Sequence, residues 1–326
     1  MAILADIVSP PVSLHDLLTR VQTEPLALLA LAVEIILAGA YVAGVRRLAA
    51  RGRHWSAWRT TSFLAGVVFV WVATGSGLAA YDDSVFALHT FQHLILMMVA
   101  PPLLALGAPV TLAVQAGSRV TQRRILAFIH SGPMKVITFP VVVWLSFYAT
   151  MFVYFLSPLY NLSLRHPLFH YYTHIHFLIA GLLFWIPIVG LDPSRWRLPF
   201  PARILFLFTG LPFDAFLGIA IMNMTKSISP AHTLADTHAG GAIFWAGSEF
   251  LSIVGLAIVV AQWTRAEDRQ ASRADRRLDR KDMEAQSPAS SSTGPEPSGP
   301  TAPVPLNQSA WEAAWAAKAG HTPEPR

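Results

Sequence analysis

Long apolar stretches alternate with short polar and charged loops through most of this chain. A helix needs about 20 mainly apolar residues to cross a bilayer. Seven stretches meet this requirement, at residues 25–45, 59–80, 87–107, 136–156, 170–190, 203–224 and 239–263. The pattern therefore predicts an all-α, polytopic membrane protein with seven transmembrane helices.

Lys and Arg residues mark one face of this predicted helical domain. They are concentrated in segments that follow alternate spans, at residues 46–59, 119–135, 195–203 and 265–281. The remaining outer segments contain only Arg20, Arg165 and Lys226. Because short loops rich in Lys and Arg stay in the cytoplasm, the asymmetry predicts an N-terminus outside and a cytoplasmic C-terminus.

The chain beyond the spans supplies two further segments. Residues 1–24 precede the first span and would lie in the periplasm. The C-terminal segment begins with a dense run of mixed charge, and residues 286–306 are rich in Ser, Pro, Gly and Ala, which is typical of disorder. We therefore expect a periplasmic segment at 1–24, a membrane domain at 25–263 and a charged, disordered cytoplasmic tail at 264–326.

Composition narrows the classes of function. Hydrophobic residues make up 53% of the 326 residues and charged residues only 13%, whereas an average soluble domain has roughly 25% charged residues. A soluble enzyme, a nucleic-acid-binding protein and a secreted disulfide scaffold are therefore excluded. The chain contains no Cys, which excludes thiolate metal sites and iron–sulfur clusters. A soft metal ion would have to bind His and Met.

Histidines gather at the outer ends of the predicted spans. Eight of the twelve fall at or just beneath the outer surface: His89, His93, His166, His170, His174, His176, His232 and His238. Within this set, His89 and His93 are four residues apart, and His170 and His174 repeat that step. Residues at i and i+4 lie on one face of a helix, so each pair would present two imidazoles together. Met97 continues the first pair at i+8.

These side chains have the chemistry of a copper site. Imidazole and thioether groups suit copper, and thioether favours Cu(I). We expect copper to be bound, transiently, by ligands from spans 3, 5 and 7: His89, His93, Met97, His170, His174 and His238. Asp82, Asp83 and Asp236 add negative charge on the same side. The alternative is that interfacial histidines bond only backbone carbonyls or water, and that Met97 fills a gap in the packing.

Acidic residues inside the spans extend the candidate site. Asp214 lies in span 6 and Glu249 in span 7, and a charge within a bilayer is costly enough that such residues normally face the bundle interior. We expect both of them, with Gln92, to orient the metal ligands or to move protons. His89, His93, His170, His174, Asp214, His238 and Glu249 would then surround one outer cavity. Alternatively, each acid is neutral and bonds a neighbouring helix.

One continuous run carries a resemblance to a known family. Residues 89–109 contain the elements H-x-x-Q-H, M-x-x-A-P-P-L-L and L-G-x-P, and this run resembles the signature of the CtaG-type (caa3-type) cytochrome c oxidase assembly proteins. Weaker similarities are the G-x-x-F-W-x-P element at 181–187 and the pattern Asp236, Gly240-Gly241, Trp245 and Glu249. The resemblance covers roughly residues 25–263.

The resemblance implies a function that composition and spacing alone do not. It implies a multi-pass protein of the bacterial inner membrane that helps to assemble a haem–copper oxidase by handling copper, without catalysis. Its partners would be oxidase subunits, other copper chaperones and the lipid bilayer.

Two other functions remain open at this stage. The first is a haem-binding membrane redox protein with axial His from spans 3 and 5, because His is a common haem ligand. The second is a copper transporter, which would need polar or Met residues continuing to the cytoplasmic side. The inner halves of spans 3 and 5 are apolar, which disfavours transport.

Overall fold

The computed structural model describes residues 13–286. This part of the chain is helical and contains no β-strand, and a single isolated bridge pairs Val21 with Ser76. The periplasmic prediction for residues 1–12 and the disorder prediction for the tail beyond residue 286 lie outside the described residues. A first compact unit ends at Asp268, and the described part of the second unit is the helical segment 269–286.

The helices follow one another with short connections. In chain order they are α1 Leu14–Thr19, α2 Pro25–Ala49, α3 Ala57–Gly75, α4 Gly77–Tyr81, α5 Phe86–Leu94, a π-helical turn Ile95–Val99, α6 Ala100–Leu106, α7 Pro109–Ala116, α8 Arg119–Ile129, α9 Gly132–Ile137, α10 Pro140–Phe155, α11 Leu159–Arg165, α12 Pro167–Val189, α13 Phe200–Phe208, α14 Leu211–Met222 and α15 Leu234–Gln286.

Six helical segments are long and apolar enough to cross a membrane. They are Pro25–Ala49, Ala57–Gly75, Phe86–Ala116, Pro167–Val189, Phe200–Met222 and Leu234–Met283. A seventh span results if α10 and α11, which meet at an angle of 67°, are counted together. The prediction of an all-α polytopic membrane protein is confirmed.

The fourth span differs from the uninterrupted helix expected at 136–156. Helix α10 has 16 residues, about 24 Å at 1.5 Å per residue, which is shorter than the roughly 30 Å hydrocarbon core. It ends at Phe155, and Pro158 has no backbone N–H with which to continue the helix. The chain therefore bends and α11 starts in a new direction. This bend positions side chains of α11 beside the histidines.

The third span is also irregular. Pro101 and Pro102 cannot donate to the carbonyls of the preceding turn, and the backbone there forms a π turn, in which the N–H of Ala100 bonds to the carbonyl of Ile95. The free carbonyl of Met97 accepts a hydrogen bond from the indole Nε1 of Trp185 on α12, at 3.2 Å. The carbonyl that has no donor within its own helix is thus bonded by a side chain of another span.

The close approach of α12 to the third span depends on Gly181. A Cβ atom at this position would lie 2.6 Å from the Met97 carbonyl oxygen and 2.6 Å from Pro101 Cγ. Only a residue without a side chain fits such a contact. The glycine of the G-x-x-F-W-x-P element therefore lets the two histidine-bearing helices, α5 and α12, come together at their N-terminal ends.

Candidate metal centre

Four imidazole rings from two helices form one buried cluster. His89 and His93 come from α5, and His170 and His174 from α12. The ring of His89 stacks on that of His170 with centroids 5.3 Å apart, and His93 meets His174 at 5.8 Å. All four residues are between 0% and 6% exposed. The structure thus unites the two i, i+4 pairs that the sequence indicated separately.

The start of α5 is held in place by a distant carboxylate. Asp236, in the first turn of α15, accepts hydrogen bonds from the backbone N–H groups of Phe86 at 2.7 Å and Ala87 at 3.1 Å. The first N–H groups of a helix have no partner within the helix, and a negative charge near them is favourable. Asp236 therefore fixes the turn from which His89 projects.

Asp82, at the end of α4, is the acidic member of the cluster. Its Oδ2 lies 3.6 Å from His170 Nε2 and 4.0 Å from His174 Nε2. Gln92 donates from Nε2 to the same oxygen at 2.7 Å and to the carbonyl of Ala73 at 2.6 Å. Burial, followed by the neighbouring carboxylate of Asp83, raises the pKa of Asp82 well above its usual range.

Asp82, His170 and His174 have the arrangement of a metal-binding triad. One ligand atom from each side chain lies within 4.8 Å of the other two. His170 Nε2 and both ring nitrogens of His174 are buried without a hydrogen-bond partner. A buried polar atom left without a partner is costly, and coordination to a metal ion would satisfy one nitrogen of each ring. The donor set therefore fits a metal ion.

The two histidines of α5 belong to a chain of hydrogen bonds on the other side of the cluster. His93 Nε2 and His89 Nε2 are 2.8 Å apart, and His89 Nε2 is 3.1 Å from the hydroxyl of Tyr154. Tyr154 in turn lies 2.8 Å from Ser163 Oγ. The Nδ1 atoms of both histidines are buried without a partner. Each of these imidazoles therefore has one ring nitrogen without a partner in the buried cluster beside the triad.

Three predicted site residues lie elsewhere. His238 Nε2 bonds to the carbonyl of Met224 at 2.9 Å. Asp214 accepts a 3.5 Å hydrogen bond from Ser252, and its other carboxylate oxygen is buried without a partner. Between residues 13 and 286 no hydrogen bond, ion pair or ring contact joins His238, Asp214 or Glu249 to the cluster. Four of the seven residues expected around one cavity are thus brought together.

Met97 occupies the π turn after α5. Its side chain is buried, and its carbonyl bonds to Trp185. The i, i+4, i+8 relationship with His89 and His93 assumes an unbroken α-helix, and the π turn changes the register after His93. The position of Met97 on the histidine face therefore remains a prediction.

Sequence reasoning named Asp82 only for its negative charge on the outer side, without making it a ligand, and it missed Tyr154. For Asp82 a signal was present, because an acidic pair stands seven residues before His89 at the same predicted depth. For Tyr154 no local signal exists, since its position depends on the packing of α10 against α5.

The fold and the site together define a polytopic helical membrane protein with a buried centre of imidazoles and a carboxylate. Residues 39–266 match the model of the cytochrome c oxidase caa3 assembly factor family, Caa3_CtaG. The chain belongs to this family.

Curated relatives come from mycobacteria. The chain is similar to the uncharacterized proteins Mb0105 of Mycobacterium bovis and MT0111 of Mycobacterium tuberculosis, with 35% identity over 266 residues. It is 36% identical to the uncharacterized protein ML1998 of Mycobacterium leprae. Each alignment covers 76% of this chain and 40% of the relative, so the chain spans less than half the length of these proteins. No solved structure matches this chain.

Proposed function

We propose that this protein assists the assembly of a haem–copper cytochrome c oxidase by holding copper in its buried histidine cluster. The observation that carries the proposal is the triad of Asp82, His170 and His174, whose ligand atoms converge in a buried site beside His89 and His93. Membership of the caa3 assembly factor family supports the oxidase as the protein that receives the copper. Copper would be a cargo held transiently, and no catalysis is needed.

The distribution of charge supports the periplasmic face as the place of transfer. Loops rich in Lys and Arg follow alternate spans, which favours an N-terminus outside the cytoplasmic membrane. With that orientation α5 and α12 both begin at the periplasmic side, where all four histidines lie. An oxidase subunit or another copper chaperone would then exchange the ion from the periplasm.

The geometry favours a single ion over the other two functions considered. Adjacent imidazole rings pack with centroids 4.4 to 5.8 Å apart, which leaves no slot for a porphyrin between α5 and α12. For a copper transporter, Asp214 and Glu249 would have to continue the path from the cluster, and neither contacts it. A Soret band in the purified protein would restore the haem hypothesis.

Paired substitutions test the proposal. We expect His89→Ala with His93→Ala, and separately His170→Ala with His174→Ala, to lower copper per purified protein and oxidase activity in membranes. His176→Ala is the matched control, because His176 lies on α12 but is exposed and bonds Thr150. Unchanged copper content and oxidase activity in both double variants would refute the function.

A further inference from the structure

We propose that the ion this centre is built to hold is oxidised, divalent copper, bound by Asp82, His170 and His174, with Asp83 orienting His170. This inference rests on the copper-handling function proposed above and specifies its cargo. Three features of the site support it: the type of donor atoms, the tautomer of one histidine and the balance of charge.

The donor atoms are nitrogen and oxygen. Cu(I) is selected by soft thiolate and thioether ligands, whereas Cu(II) takes imidazole and oxygen donors in a tetragonal arrangement. The chain has no Cys, and the atoms that converge are one carboxylate oxygen and two imidazole nitrogens. A carboxylate oxygen is a hard ligand and is poorly suited to Cu(I).

The ion-pair contact between His170 and Asp83 leaves one ring nitrogen available for a metal. His170 Nδ1 lies 3.3 Å from Asp83 Oδ1 in an ion-pair contact, and the nearby carboxylate favours the tautomer that has its proton on Nδ1. The lone pair is then on Nε2, which faces Asp82 and has no hydrogen-bond partner. Metal-binding histidines commonly have this pattern, in which a carboxylate fixes the ring through the nitrogen that does not bind the ion.

Charge at the site calls for a divalent ion. Asp82 and Asp83 bring two carboxylates to one histidine, and no Lys or Arg of the described chain forms an ion pair with either of them. Asp82 is buried, whereas the side chain of Asp83 is 65% exposed to solvent. A buried charge is stable only when it is paired, so an ion at this site would first pair with Asp82. A divalent ion would keep a positive charge after pairing with Asp82 and would still attract Asp83, whereas a monovalent ion would be neutralised by Asp82 alone.

Electron paramagnetic resonance of the purified full chain in detergent tests the oxidation state. With one equivalent of Cu(II) we expect a tetragonal signal with nitrogen hyperfine structure. We expect Asp82→Asn to weaken Cu(II) binding at least tenfold in a chelator competition, while Cu(I) binding, measured anaerobically against bicinchoninate, changes less than threefold. Asp83→Asn should weaken Cu(II) binding to a smaller extent, because Asp83 orients a ligand and does not bind the ion.

Controls separate this inference from the function on which it rests. Asp275→Asn should leave Cu(II) binding unchanged, and circular dichroism should show full helicity in every variant. Tight Cu(I) binding that Met97→Leu weakens and Asp82→Asn leaves intact would overturn the cupric assignment but not the copper function. Failure of the chain to bind either form of copper would overturn both, and displacement of Cu(II) by equimolar Zn(II) would overturn the choice of copper as the cargo.

Discussion

The indole of Trp185 donates a 3.2 Å hydrogen bond to the backbone carbonyl of Met97, and this bond joins α12 to the third span at the π turn. The carbonyl would normally bond to the N–H four residues later, but that residue is Pro101. The proline pair and the tryptophan of the two sequence elements are therefore complementary. Pro101 lacks the backbone N–H that would bond the Met97 carbonyl, and the indole N–H of Trp185 bonds that carbonyl instead.

Trp185→Phe should destabilise the protein because it leaves a buried carbonyl without a donor. The cost expected is about 1–3 kcal/mol, measured as the free energy of unfolding in detergent. Trp196→Phe is the control, since its indole also bonds to a carbonyl, that of Lys135, but in an exposed position. An equal effect of the two substitutions would contradict the role given to the Met97 carbonyl.

Gly181→Ala should separate α12 from the third span. The added methyl group would overlap the Met97 carbonyl and Pro101, and overpacking of this kind typically costs about 1–3 kcal/mol. Because the same contact brings α5 and α12 together, copper content should fall with the melting temperature. Gly39→Ala, where nothing lies within 4 Å of the new methyl group, should leave the copper content and the melting temperature unchanged. A Gly181→Ala protein with normal stability and copper would disprove the argument.

The helices and the pairing of histidines could be predicted from the sequence because both depend on local patterns. Apolar length identifies a span, and an i, i+4 step fixes the relative position of two side chains on one helix. His89 with His93, and His170 with His174, are therefore adjacent as the sequence indicates. That the two pairs face each other depends on Gly181 and the π turn, which no periodicity reveals.

The residues that sequence reasoning misplaced or missed are those whose position depends on breaks in helices or on the packing of one helix against another. Asp214 lies one turn after the interruption between α13 and α14, and His238 turns to the Met224 carbonyl. Tyr154 reaches His89 only through the packing of α10. In each case the deciding contact joins distant parts of the chain, and the spacing of residues along one helix carries no information about it.

Gln92→Ala should weaken metal binding without removing a ligand. Gln92 is the only side chain that holds Asp82 at hydrogen-bond distance in the described chain, and it is anchored to the carbonyl of Ala73. Loss of such a supporting contact typically lowers metal affinity about 10–100-fold. Copper affinity by chelator competition is the measurement, with Gln122→Ala as the control because Gln122 bonds the distant Val114 carbonyl. Equal affinities in the two variants would show that Asp82 does not need Gln92.

Two aspartates that cap helices should have separable effects on stability and on copper. Asp236 bonds two N–H groups at the start of α5, and Asp192 bonds the N–H groups of Val110 and Thr111 at the start of α7. Loss of a helix cap costs about 0.5–2 kcal/mol, so Asp236→Ala and Asp192→Ala should lower the free energy of unfolding by similar amounts.

Only the first of these caps supports the turn that carries His89. Asp236→Ala should therefore also reduce copper affinity, whereas Asp192→Ala should leave it unchanged in the fraction of protein that is folded. Copper titrations at a temperature where both variants are fully helical provide the comparison. If both variants lost affinity in proportion to their loss of stability, the position of α5 would follow from global folding, and Asp236 would have no specific role in presenting the histidines.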